Sequence, residues 1–76
     1  MEATQQETGQ VTGTKDKDYN VIWFTEQCLS NALRLENYIQ DAERDGDNDL
    51  ADFFRKAQRE SQKGAEQGKA LLKSRL

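Results

Sequence analysis

"DAERDGDNDLAD", residues 41–52, gathers six acidic side chains around a single glycine, and its reading decides the fold. On either side run long segments rich in Ala, Leu, Glu, Lys, Arg and Gln, and the chain contains no proline. These are the residues that lose least on entering a helix. A glycine reached in a left-handed conformation ends a helix, and an Asp or Asn just beyond it caps the next. Gly46 followed by Asp47 and Asn48 supplies both signals, with either of the latter two as the cap. The stretch therefore predicts an all-α antiparallel two-helix hairpin, one helix over Asp18–Arg44 and a second over Asp47–Arg75, each roughly 40 Å long at 1.5 Å per residue.

The same acidic spacing supports a second expectation. Oxygen-bearing side chains fall at Asp41, Glu43, Asp45, Asp47, Asp49 and Asp52 with Gly46 at the sixth place, which resembles the calcium loop of EF-hands. The match is partial, because polar Asn48 stands where those loops place an aliphatic residue and Asp52 is shorter than the usual glutamate. A calcium loop must also leave helical geometry at Asp41, whereas Ala42 continues the apolar line of the preceding helix. The expectation is that the turn connects two helices, with weak calcium binding as the alternative.

At 100° per residue, Val21, Cys28, Ala32, Leu35, Ile39 and Ala42 form one line, with Ile22, Leu29 and Leu33 on one side and Phe24 and Tyr38 on the other. That apolar arc spans about 200°, more than one neighbouring helix covers. The second helix carries Leu50, Phe53, Phe54, Ala57, Ser61, Gly64, Gly68, Leu71 and Leu72 along one face. Glycines inside a helix cost about 1 kcal/mol each, so Gly64 and Gly68 signal a close approach. Folding back at Gly46 brings Cys28 and Phe24 near them and matches large to small. Charge agrees: six acids face two bases over 18–46, and five face seven over 47–76, leaving net −4 against net +2. Trp23 falls about 200° from Val21 and Cys28, on the otherwise wet side with Tyr19, where a large indole is a candidate contact anchor. Tyr19, Ile22, Trp23, Leu29, Leu33, Gly64 and Gly68 are the expected interface.

Composition narrows the function. A chain of 76 residues buries only about 60% of its unfolded surface, and a lone core is marginal at this size. There is one cysteine and no histidine, so neither an internal disulfide nor a structural zinc site supplies the missing stability. Self-association or a protein partner remains. With no histidine, no phosphate loop and no partnered nucleophile, no catalytic residue is assigned and the chain is expected not to be an enzyme. Cys28 sits on the core line as a small hydrophobe. The basic stripe Arg55, Lys56, Arg59, Lys63 and Lys73 is broken by Glu60 in an acidic chain, which argues against nucleic acid. Residues 1–17 are polar and read as a disordered tail, with 18–76 as the helical domain. The N-terminus lacks the pattern of a secretory signal and no run approaches a membrane span, so a cytoplasmic location, no membrane contact and no cofactor are expected.

"YIQDAERDGDNDLADFFRKAQRES", residues 38–61, followed by the Leu71–Leu72 pair, resembles the helix-turn-helix half of ferritin-like proteins, notably rubrerythrins and short encapsulated ferritins. The resemblance implies a two-helix unit that associates into four-helix bundles, which in that family hold two irons between facing helices. Glu60 matches a family glutamate. The family histidine position is Lys63, and no glutamate occurs between Cys28 and Asn31, where the first helix should supply one. The expectation is a homo-oligomeric, non-catalytic assembly or protein-interaction module without the metal; the alternative is a divergent metal carrier.

Overall fold

The computed structural model describes residues 6–76, and these are all-helical. Helix α1 is a single turn, Gly9–Thr12; α2 runs over Asp16–Arg44; α3 runs over Asn48–Arg75. Of the segment 1–17 read as a polar tail, residues 1–5 lie outside the described residues. Within the rest, α1 ends on Gly13 in a left-handed conformation, φ 77°, and Thr8 donates its backbone N–H and hydroxyl to Asp16. The N–H of Asp16 in turn donates to Glu7 at 2.5 Å. These bonds satisfy an end that a helix leaves open, and α2 begins two residues before the expected Asp18.

The break between the long helices follows from two residue types. Gly46 has φ 73°; its N–H donates to Glu43 O, and the Asp47 N–H donates to Ala42 O at 2.9 Å. This is the paired closure that a left-handed residue makes at a helix end. Asp47 then accepts the Leu50 N–H at 3.2 Å and caps α3. Of the two candidate caps, the structure selects Asp47.

Contact partners along α2 and α3 run in opposite order: Glu43 with Arg55, Ala32 with Gln58, Asn31 with Ser61, Asp18 with Arg75. On α2 the contact line is Val21, Thr25, Cys28, Ala32, Leu35, Ile39 and Ala42, and on α3 it is Ala51, Phe54, Gln58, Ser61, Ala65, Gly68 and Leu72, every member buried or half-buried. Both lines alternate steps of three and four, the spacing of a helix-helix seam. The α3 seam is offset from the expected face: Leu50, Phe53 and Leu71 lie beside it and remain exposed, while Ala51, Gln58 and Ala65 lie in it.

Small residues set the separation of the helices. A Cβ added at Gly64 would stand 2.8 Å from Cys28 Sγ, and one added at Gly68 would strike Thr25 Oγ1 and come within 3.1 Å of its Cβ. Thr25 is buried, and its hydroxyl donates to Val21 O at 2.7 Å. A polar layer fixes register at mid-length: Asn31 Nδ2 donates to Ser61 Oγ at 2.7 Å, and Gln58 Nε2 donates to Ala32 O and Glu36 Oε1, each at 3.1 Å. A shift of one turn would leave these groups unpaired.

The result is long and thin. The Cα radius of gyration is 17.0 Å, against about 11 Å for a compact domain of this length. Its two long helices pack side by side and form a single layer.

Gly68→Ala is expected to lower stability by about 1–3 kcal/mol through overpacking, despite the roughly 1 kcal/mol of helix propensity it gains. Thr25→Ala in that background should recover part of the loss. Urea unfolding of the four proteins at one fixed concentration measures the coupling, and strict additivity would contradict the contact.

Candidate functional site

Three strips of apolar side chains lie outside the seam. On one flank, Phe24 and Tyr38 from α2 join Leu50, Phe53 and Leu71 from α3, bordered by Phe54 of the seam, with small Ala57 and Gly64 between them. Tyr38 and Phe54 meet with ring centroids 5.4 Å apart, and Phe53 and Phe54 with centroids 5.5 Å apart, both pairs tilted. The Phe24 ring lies over Gly64. Apart from Phe54, the large members of this flank are exposed. Toward the turn, Tyr38, Leu50 and Phe54 line an apolar concavity with Asp41, Asp45 and Asp47 at its rim.

The opposite flank holds half-buried Ile22 with exposed Leu29 and Leu33, the last 74% accessible. Here α3 contributes polar Gln58 and Gln62 to a groove shared with Leu29, Ala32, Leu33 and Glu36. The third strip is the outer side of α2, where Tyr19 and Trp23 are exposed, Trp23 at 58%. Trp23 therefore does not cover its own seam. Of the expected interface residues, Tyr19, Trp23, Leu29 and Leu33 are open to solvent and Ile22 is partly so. Gly64 and Gly68 serve the contact between α2 and α3.

The sequence reading passed over Phe24, Tyr38, Leu50, Phe53 and Leu71 as surface. It placed all five on packing faces, since periodicity reports an angle around a helix but not where the neighbour's edge falls. Thr25 was missed because it is polar, although it completes the alternation from Val21 to Cys28.

Four of the six acidic residues of 41–52 have protein partners. Asp41 pairs with Arg44 at 2.9 Å, Glu43 and Asp52 both pair with Arg55, and Asp47 caps α3. Helical geometry continues without interruption through Asp41–Arg44. The stretch is thus the end of one helix, a turn and the start of another. Three further basic residues of α3 are paired: Lys63 with Glu60 at 3.7 Å, Lys69 with Glu66 at 2.9 Å, and Arg75 with Asp18 at 3.2 Å. Exposed pairs of this kind contribute at most about 1 kcal/mol each.

Within the single chain, the described residues do not converge into a di-iron centre of the ferritin-like kind. Glu60 is exposed and paired with Lys63 on its own helix, Glu26 accepts from Ser30 and Gln27, and Glu36 accepts from Gln58 and Gln40. Among the described residues, no three of His, Cys, Asp and Glu are placed to hold a metal ion. Cys28 is half-buried against Gly64. No described helix is long and apolar enough to cross a membrane. Comparison of the chain with protein-family models, with curated proteins and with solved structures gives no match.

If the acidic stretch is a connection, its cost of disruption is conformational. Gly46→Ala should destabilise by about 1–2 kcal/mol, since a side chain is strained at positive φ, and Asp47→Ala by about 1 kcal/mol through loss of the cap. Calcium should leave the melting midpoint unchanged in all three proteins. A calcium-dependent rise in the wild type that Asp47→Ala abolishes would show instead that the stretch holds the ion.

Proposed function

We propose that the chain is a non-catalytic assembly module whose helical hairpin pairs with a further copy to form a four-helix bundle. One observation carries the reading. Among the described residues only two large apolar side chains, Leu35 and Ile39, are buried, while eleven are at least 40% exposed. A single layer of two helices has no second side against which to bury the rest. A chain below about 80 residues draws no more than roughly 3–5 kcal/mol from its own core, so covering these side chains with another chain is the available source of stability.

Bundle pairing answers that deficit in the simplest way. Two such layers stacked face to face make four helices around a shared interior, and most homo-oligomers close with two-fold symmetry. The likeness of residues 38–61 to ferritin-like proteins supports the same arrangement and lends no chemistry to it. The exposed Trp23 and Tyr19 add a second anchor for a protein partner. A cytoplasmic module of this type acts by holding chains together.

Association predicts a melting midpoint that depends on protein concentration. With an unfolding enthalpy near 0.7 kcal/mol per residue, a dimer of this size should gain roughly 5 °C for each tenfold increase in concentration. Calorimetry across a wide concentration range checks this. A constant midpoint together with a monomer mass in sedimentation equilibrium would refute the proposal.

A further inference from the structure

On the flank bearing Phe24, Tyr38, Leu50, Phe53 and Leu71, four of the five large side chains are symmetrically placed. Asn31 and Ser61, hydrogen-bonded at 2.7 Å, mark one level across the two helices. Phe24 and Tyr38 stand seven residues to either side of Asn31. Leu50 and Leu71 stand eleven and ten residues from Ser61, and the small Ala57 and Gly64 stand four and three. Phe24, Tyr38, Leu50 and Leu71 thus lie at matched heights of about 10 and 16 Å above and below this level, given 1.5 Å per residue, while Phe53 has no large apolar counterpart. The small ones straddle the centre.

That spacing is what a two-fold interface requires. In an isologous contact the same patch meets itself, so each feature must find its complement at the mirrored height. Resting on the assembly reading above, we propose that a second copy of this chain docks on the Phe24/Tyr38/Leu50/Phe53/Leu71 face in antiparallel orientation, with the two-fold axis passing near Ala57 and Gly64. Leu50 of one copy then meets Leu71 of the other and Phe24 meets Tyr38, with the Phe24 ring that covers Gly64 in its own chain forming part of the contact surface.

Charge selects the antiparallel orientation. Around the turn, residues 41–52 carry six acids and one base, whereas residues 15–18 and 66–75 at the far end carry five bases and three acids. Parallel docking would superpose the acidic ends. Antiparallel docking sets each acidic end beside a basic one.

Area is adequate as well. The five large side chains are between 40% and 63% exposed, which at about 200 Å² apiece offers roughly 500 Å² of apolar surface per copy. With the roughly 65% apolar content of homodimer interfaces, this corresponds to about 800 Å² per copy, the size of a stable contact. The Leu29/Leu33 flank offers much less, because α3 presents Gln58 and Gln62 there.

Paired cysteines test both the face and the orientation. In a Cys28→Ser background, Leu50→Cys and Leu71→Cys chains are oxidised separately and then as a mixture. Antiparallel docking brings residue 50 of one copy within disulfide reach of residue 71 of the other, while like residues lie about 30 Å apart. The mixture should therefore yield a covalent dimer and neither chain alone should. Self-linking of either chain alone would establish parallel docking and overturn the proposal. Phe53→Glu should weaken dimerisation at least tenfold with helicity kept, and Leu33→Glu should leave it unchanged. The reverse pattern moves the contact to the other flank, overturning this inference while the assembly reading stands. A wild-type chain that sediments as a monomer at every concentration overturns both.

Discussion

The close approach of α2 and α3 over Gly64 and Gly68 is the constraint on which the rest of the structure depends. Thr25 and Cys28 occupy the space where side chains at positions 68 and 64 would stand. Small residues in a seam let helix axes come near, but they bury little apolar area while doing so. The bulk that a wider seam would enclose is therefore displaced to its edges. Phe24, Phe53 and Leu71 are exposed for the same reason that Gly68 is buried.

Polar groups then decide which close approach is adopted. The Asn31–Ser61 bond and the two bonds donated by Gln58 sit at the middle of the seam, where sliding by a turn would strand each of them. Buried side-chain polar atoms among the described residues all have partners. A seam of alanine and glycine alone would tolerate several registers, because its surface is nearly featureless. The turn at Gly46 and the cap at Asp47 restrict the choice further by fixing the length of the connection.

A fold that is one helix layer thick encloses little of its own apolar surface. Among the described residues fewer large apolar groups are enclosed than displayed, and most of the displayed ones are grouped into flanks. The distribution of charge works at longer range. Acids concentrated at the turn and bases at the opposite end give the rod two unlike poles. The glutamates that a ferritin-like reading singles out are meanwhile occupied by neighbours on the surface.

Local chemistry by itself determined that the chain is helical, where its long helices break and why. Ala, Leu, Glu, Lys and Gln with no proline favour helix over any alternative, and Gly46-Asp47 supplies a stop and a cap within two residues. The core line of α2 was legible from Cys28 to Ala42, where apolar residues keep the three-and-four spacing unbroken, but not at Thr25, a polar member between Val21 and Cys28. Two things were decided only in three dimensions. One is which of two adjacent lines on α3 enters the seam: by hydrophobicity Leu50, Phe53, Ala57, Gly64 and Leu71 compete well with Ala51, Gln58, Ala65 and Gly68. The other is the apolar flank that the unchosen line leaves open. Periodicity gives the direction of a side chain around its own axis, but the rotation of one helix against another is set by fit across the gap. Here that fit is Thr25 seated on a residue with no side chain.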